Sequence, residues 1–183
     1  MPTATARELG GVPAFAWRGA APRCDRLIRL HRRSLSHLLI EGGTAEERVR
    51  LAFAFHRGSP LRCGTFVFID AERDEERLAC ALQCAVSAVT CERPDNPLRE
   101  SEGGTLLLDR VSLLPMAAQR TLRRVLAVLP DDCAAGPCFS RLAVGSDEPL
   151  EDLAAAGRFD PALYDLLDKI RVELSARRPA GAR

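Results

Sequence analysis

Five short apolar runs, separated by segments of helical periodicity, constrain this chain more than any other feature. They are HLLIEG (37–42), TFVFID (65–70), GGTLLLD (103–109), RLAV (141–144) and IRVEL (170–174). Each has strand length and is nearly continuous in apolar residues, as strands covered on both faces are. Between Glu72 and Val89 the positions Leu78, Leu82, Ala85, Val86 and Val89 recur at intervals of three and four, which predicts an amphipathic helix. Further helices are predicted over 24–33, over 45–56 after a polar first turn, over 115–129 starting at a proline, over EDLAAAG (151–157) and around PALYDLLD (161–168). Strands alternating with helices imply βα units and therefore a mostly parallel sheet with helices on both faces. CERPDNP (91–97) reads as a break, and the tail SARRPAGAR as disordered.

Length and charge then narrow the function classes. The 183 residues, 46% of them hydrophobic, suffice for one domain with a full core. A formal net charge of +1 gives no global field toward nucleic acid or an anionic membrane. No apolar run reaches membrane-spanning length and the N-terminus lacks a basic start followed by an apolar stretch, so a cytoplasmic protein is expected. The seven cysteines, Cys24, Cys63, Cys80, Cys84, Cys91, Cys133 and Cys138, are odd in number and contain no CxxC pair. Buried structural thiols are the favoured reading. A metal or redox site built on Cys80 and Cys84 with Cys133 and Cys138 is the alternative.

Three stretches, in order, resemble the AAA+ domain of sigma-54-dependent transcriptional activators. EGGTLLLDRVSLLPMAAQRTLRRVL (102–126) is similar to the family's GGTLFLDE strand, the turn after it and the helix that begins at a proline. LEDLAAAGRFDPALYDLL (150–167) resembles the segment from sensor I through GRFRxDLYYRL. LLIEGGTAEERVRLAFAFHRGSP (38–60) resembles the first strand, phosphate loop and following helix. The resemblance implies an α/β, P-loop NTPase-like three-layer sandwich with a five-stranded sheet and without the family's helical lid. It places a leader at 1–22, the core at 23–175 and a disordered tail at 176–183.

Phosphate binding by such a loop needs glycines, so that successive backbone N–H groups face the anion, and a lysine reaching the β- and γ-phosphates. Where the family has GExGTGKE, this chain has Gly42, Gly43, Thr44, Ala45, Glu46, Glu47, Arg48 and Val49. The first glycine is kept, Ala45 and Glu47 replace the later two, and Arg48 takes the lysine position. Lys169 is the only lysine, so no shifted alignment supplies a Gly-Lys pair. The magnesium-type aspartate is kept as Asp109, with a turn or capping role as its structural alternative. The glutamate that would polarise the attacking water is Arg110, and a cation cannot act as that base. The arginine-finger positions hold Asp160 and Leu166, and the sensor I asparagine position holds Ser146 or Asp147. No GAFTGA sequence, the family's sigma-54 contact loop, lies between Ala71 and Glu102.

Gly42, Gly43, Thr44, Arg48 and Asp109 are thus expected to form a vestigial nucleotide site, with no catalytic residue and no bound metal. The expected protein is a non-catalytic sigma-54-interaction-type domain, a pseudo-ATPase that regulates transcription through contacts with a protein partner such as a true activator subunit. No cofactor is expected, and no direct DNA binding, because the family's helix-turn-helix is not present. The alternatives are a protein that binds ATP with Mg without hydrolysing it, and a cysteine-based redox or metal-responsive regulator. His56 is expected to pack, and His31 and His37 to lie at the surface.

Overall fold

In the computed structural model the described residues are 22–31, 33–87, 95–128 and 141–174. The leader before residue 22, the tail beyond 174, and Cys91, Cys133 and Cys138 lie outside them, as does the Cys24 side chain. All five apolar runs form strands: β1 Leu38–Gly42, β2 Phe66–Asp70, β3 Thr105–Asp109, β4 Arg141–Ser146 and β5 Ile170–Leu174. They build one sheet in the order β2-β3-β4-β1-β5, in which every pairing is parallel. The expectation of a mostly parallel sheet is thereby sharpened.

The helices are α1 Pro22–Leu30, α2 Ala45–Arg57, α3 Glu75–Ser87, α4 Pro97–Glu100, α5 Met116–Val128, α6 Leu150–Ala155 and α7 Pro161–Leu167. Because strand side chains alternate, each apolar run feeds two cores. Leu39, Val67, Ile69, Leu106, Leu108, Leu142 and Val144 pack with α3, α5, α6 and α7 on one face. Leu38, Ile40, Phe66, Leu107, Ala143 and Val172 pack with α2 on the other, where Leu27 and Ile28 of α1 join them. This is the three-layer sandwich that the strand and helix alternation implies.

Short elements escape the periodicity. Asn96 caps α4 by accepting from the N–H groups of Leu98 and Arg99, and Pro97 presets its first turn, so a one-turn helix follows what reads as a break. Residues Val111–Leu113 form a 3-10 turn between β3 and α5. His31 and His37 are half-buried rather than at the surface. His56 is buried as expected, its Nδ1 3.1 Å from Thr105 Oγ1 and its ring beside Phe53 and Phe66.

Candidate functional site

Open parallel sheets bind ligands at the carboxyl ends of their strands. Here that edge gathers Glu41, Asp70 and Asp109, the carboxylates at or next to the ends of β1, β2 and β3, and an arginine reaches each of them.

The centre of the edge is the turn from β1 into α2. Gly42 and Gly43 have φ of 75° and 63°, left-handed values that a side chain would strain. A Cβ on Gly42 would also collide with the backbone carbonyl of Leu174. The chain then enters α2 at Thr44, whose Oγ1 accepts from Glu47 N at 3.2 Å, while Thr44 N donates to Glu47 Oε2 at 2.8 Å. This reciprocal capping box satisfies two amides at the helix start and sets a carboxylate at the positive end of its dipole. It also holds Glu47 over the stretch where a phosphate-binding loop would present its amides.

One residue further on, Arg48 turns into the protein. It is fully buried and forms a two-pronged pair with Asp109, Nε to Oδ1 at 2.6 Å and Nη2 to Oδ2 at 3.0 Å. Its Nη1 donates to the carbonyls of Gly42 and Gly43 at 3.1 and 3.2 Å and lies 2.7 Å from Asp147 Oδ1. All three guanidinium nitrogens have acceptors, and both Asp109 oxygens are taken. Burial works to lower the arginine pKa, but the hydrogen bonds and charge of Asp109, then those of Asp147, outweigh it and the pKa rises.

The pair reaches across the end of β4, and Gly145 makes room for it. A Cβ there would overlap Asp109 Oδ1 and come within 3.1 Å of Arg48 Nε. A side chain at residue 145 and the Arg48–Asp109 pair therefore exclude each other.

The flanks of the edge are closed in the same way. Arg110, the one non-glycine described residue with positive φ, pairs with Asp70 and Glu72. Arg171 on β5 pairs with Glu41 at 2.6 Å and Glu151 at 3.1 Å, and Glu41 also accepts from Leu150 N at 2.7 Å. Asp160 caps α7 by accepting from Ala162 and Leu163 N–H groups, and Leu166 packs partly buried against the core.

The structure thus brings Gly42, Gly43, Thr44, Arg48 and Asp109 together at the carboxyl end of the sheet. Asp109 accepts from Arg48 across the sheet, whereas its structural alternative was a turn or capping role. Of the two sensor positions, Asp147 joins the site, whereas Ser146 Oγ donates to the Glu148 carbonyl. Gly145 and Arg171 were missed, since a glycine in an apolar run and an arginine on an edge strand carry no signal of their partners. Among the described residues no group of three or more His, Cys, Asp or Glu could hold a metal; Cys63 is exposed and Cys80 and Cys84 are half-buried. No helix among them is long and apolar enough to cross a membrane.

Comparison with known proteins gives this edge its context. No family model matches the chain. The acetoin catabolism regulatory protein of Cupriavidus necator is 35% identical over 95% of this chain and 26% of its own length. NtrX of Azorhizobium caulinodans is 32% identical over 76% of this chain and 32% of its own. NtrC of Escherichia coli is 31% identical over 85% and 36%. The chain is a homologue of the sigma-54-dependent activators.

It spans about a quarter to a third of the length of these activators. Among solved structures, NtrX from Brucella abortus in complex with ATP has a TM-score of 0.71 at 24% identity, covering 86% of this chain and 36% of that one. The P-loop NTPase domain of the sigma-54 transport activator from E. coli has a TM-score of 0.57 at 18% identity, covering 85% of this chain and 94% of that one. The fold is that of the P-loop NTPases.

Set against the ligand such a domain implies, the residues present do not fit magnesium with a triphosphate. Both oxygens of the metal-type Asp109 are held by Arg48, and the Glu47 carboxylate covers Thr44 N. A phosphate brought to the same amide would meet that carboxylate at like-charge contact distance.

Proposed function

We propose that this sigma-54 activator-type AAA+ domain regulates transcription without hydrolysing ATP, through contact with a protein partner such as an activator subunit of its own type. The observation that carries the reading is the Arg48–Asp109 pair, both of whose side chains are fully buried. Hydrolysis in this fold needs a metal on the aspartate, a base beside it and cations from a neighbouring subunit. Here the aspartate is bound to Arg48, Arg110 stands in the base position, and Asp160 and Leu166 stand in the finger positions. Each group has an alternative partner inside the domain, which supports settled structural roles for them.

Thermal unfolding with and without Mg-ATP tests the nucleotide half of the reading. A ligand at about a hundred times its Kd would add about 2.7 kcal/mol, a shift of several degrees for a domain of this size. No shift and no phosphate release are expected. Phosphate release that Asp109→Ala abolishes would overturn the reading, and a saturable shift without release would replace the misfit with ATP binding without hydrolysis. For the partner half, co-expression with activators of the same type followed by mass photometry is expected to give mixed oligomers. A strictly monomeric chain under those conditions would exclude a partner of that kind.

A further inference from the structure

The misfit between this edge and a metal-bound nucleotide has a definite form. Two charges of opposite sign stand in the two places where the ligand's own charges would be needed. The Glu47 carboxylate lies on the amide of Thr44 at the start of α2, where an anion is favoured by the unsatisfied N–H groups and the helix dipole. The Arg48 guanidinium lies between Asp109, Asp147 and the carbonyls of Gly42 and Gly43, where a cation is favoured.

We propose that Glu47 and Arg48 together are a built-in substitute for the metal–nucleotide, a tethered ligand in which Glu47 fills the anion's place and Arg48 holds the ends of β1, β3 and β4 in one fixed arrangement. The proposal rests on the non-catalytic reading above and adds to it that the site is filled rather than merely eroded.

Three independent features agree. The arginine contacts all three strand ends at once, through Gly42 on β1, Asp109 on β3 and Asp147 just beyond β4. Its geometry uses the planar fork, which a lysine could not reproduce, so the residue at 48 differs from lysine in kind and not only in size. Gly145 supplies the space the fork needs, so the surrounding backbone accommodates the pair without a clash. A ligand that belongs to the chain is present at all times, which removes any dependence of the edge on nucleotide supply.

The test is hydrogen exchange at the amides of Gly43, Thr44, Gly145, Ser146 and Asp147, using the full chain. In the unaltered protein these amides are expected to exchange slowly and at the same rate with and without Mg-ATP. In Arg48→Ala they should exchange at least tenfold faster, and low-millimolar guanidinium chloride should slow them again by restoring the missing group. Guanidinium should do nothing to the unaltered protein or to Asp109→Ala. Unchanged rates in Arg48→Ala, or fast rates that guanidinium does not slow, would overturn the proposal. If Arg48→Ala does not fold, Asp109→Asn gives the answer, since it keeps the shape and removes the charge; tenfold faster exchange supports the tethered ligand and unchanged exchange refutes it. Slower exchange in the unaltered protein on adding Mg-ATP would show nucleotide entering the edge and would overturn the tethered ligand, whereas phosphate release from ATP would overturn the non-catalytic reading and leave the Arg48 arms to decide this one.

Discussion

The Arg48–Asp109 pair sets the largest single-residue effects expected in this domain. Removing one partner of a buried pair leaves an uncompensated charge, which costs about 3–5 kcal/mol. Asp109→Ala should therefore lower the urea midpoint sharply, whereas Arg48→Met combined with Asp109→Leu should lie within about 1 kcal/mol of the unaltered protein, because two well-packed apolar groups carry no such penalty. A double variant as unstable as Asp109→Ala would refute this account. His56 provides a second handle. Burial, then the charges of Arg141 and Arg57, push its pKa down to about 4 from the usual 6.5. The unfolded chain thus binds a proton between those values that the native one does not, so His56 contributes stability above pH 6.5 that is lost as the pH falls toward 4. The contribution at stake is up to about 3 kcal/mol, and His56→Gln should flatten the stability profile across that window. Buried Arg141, whose pKa burial lowers to about 10, donates to the carbonyls of Phe55 and Ser34. None of these pairings could be read in advance. Arg48 and Asp109 are 61 positions apart, and nothing in the local pattern around either residue names the other.

At the scale of elements, α2 is the part whose local chemistry most directly shapes the site. Thr44→Ala removes the cap that positions Glu47 and should destabilise the domain by about 1 kcal/mol in a denaturant titration. Because Arg48 is anchored by Asp109 rather than by the cap, the same substitution should leave exchange at Gly145 and Ser146 nearly unchanged. Loss of protection there would show that cap and pair act as one unit. On the far flank, Arg171→Ala should speed exchange along edge strand β5, since Arg171 ties that strand to Glu41 of β1 and Glu151 of α6. The strands themselves were legible because a run covered on both faces must be apolar at every position, and all five runs became strands. The main helices were legible from their apolar spacing. The one-turn α4 was not, because four residues are too few for a period to register and its start at Asn96–Pro97 is written in the same residues as a chain break.

For the whole molecule, the order β2-β3-β4-β1-β5 places the turn after β1 one strand away from β3, with β4 between them. Topology thus converts two distant sequence features, a substituted loop and a retained aspartate, into neighbours. The sequence showed which residues depart from the activator pattern, and only the fold showed that the departures answer one another. Gly145 carries a further consequence, for substitution at this edge rather than for present function. Replacing Arg48 with lysine would leave Asp109 and Asp147 sharing one point charge beneath a glycine gap, with Glu47 still seated on the Thr44 amide. A second and a third substitution would be needed before an outside phosphate found the loop open, and the first step would already cost stability. Opening the loop by substitution is therefore uphill from its first step.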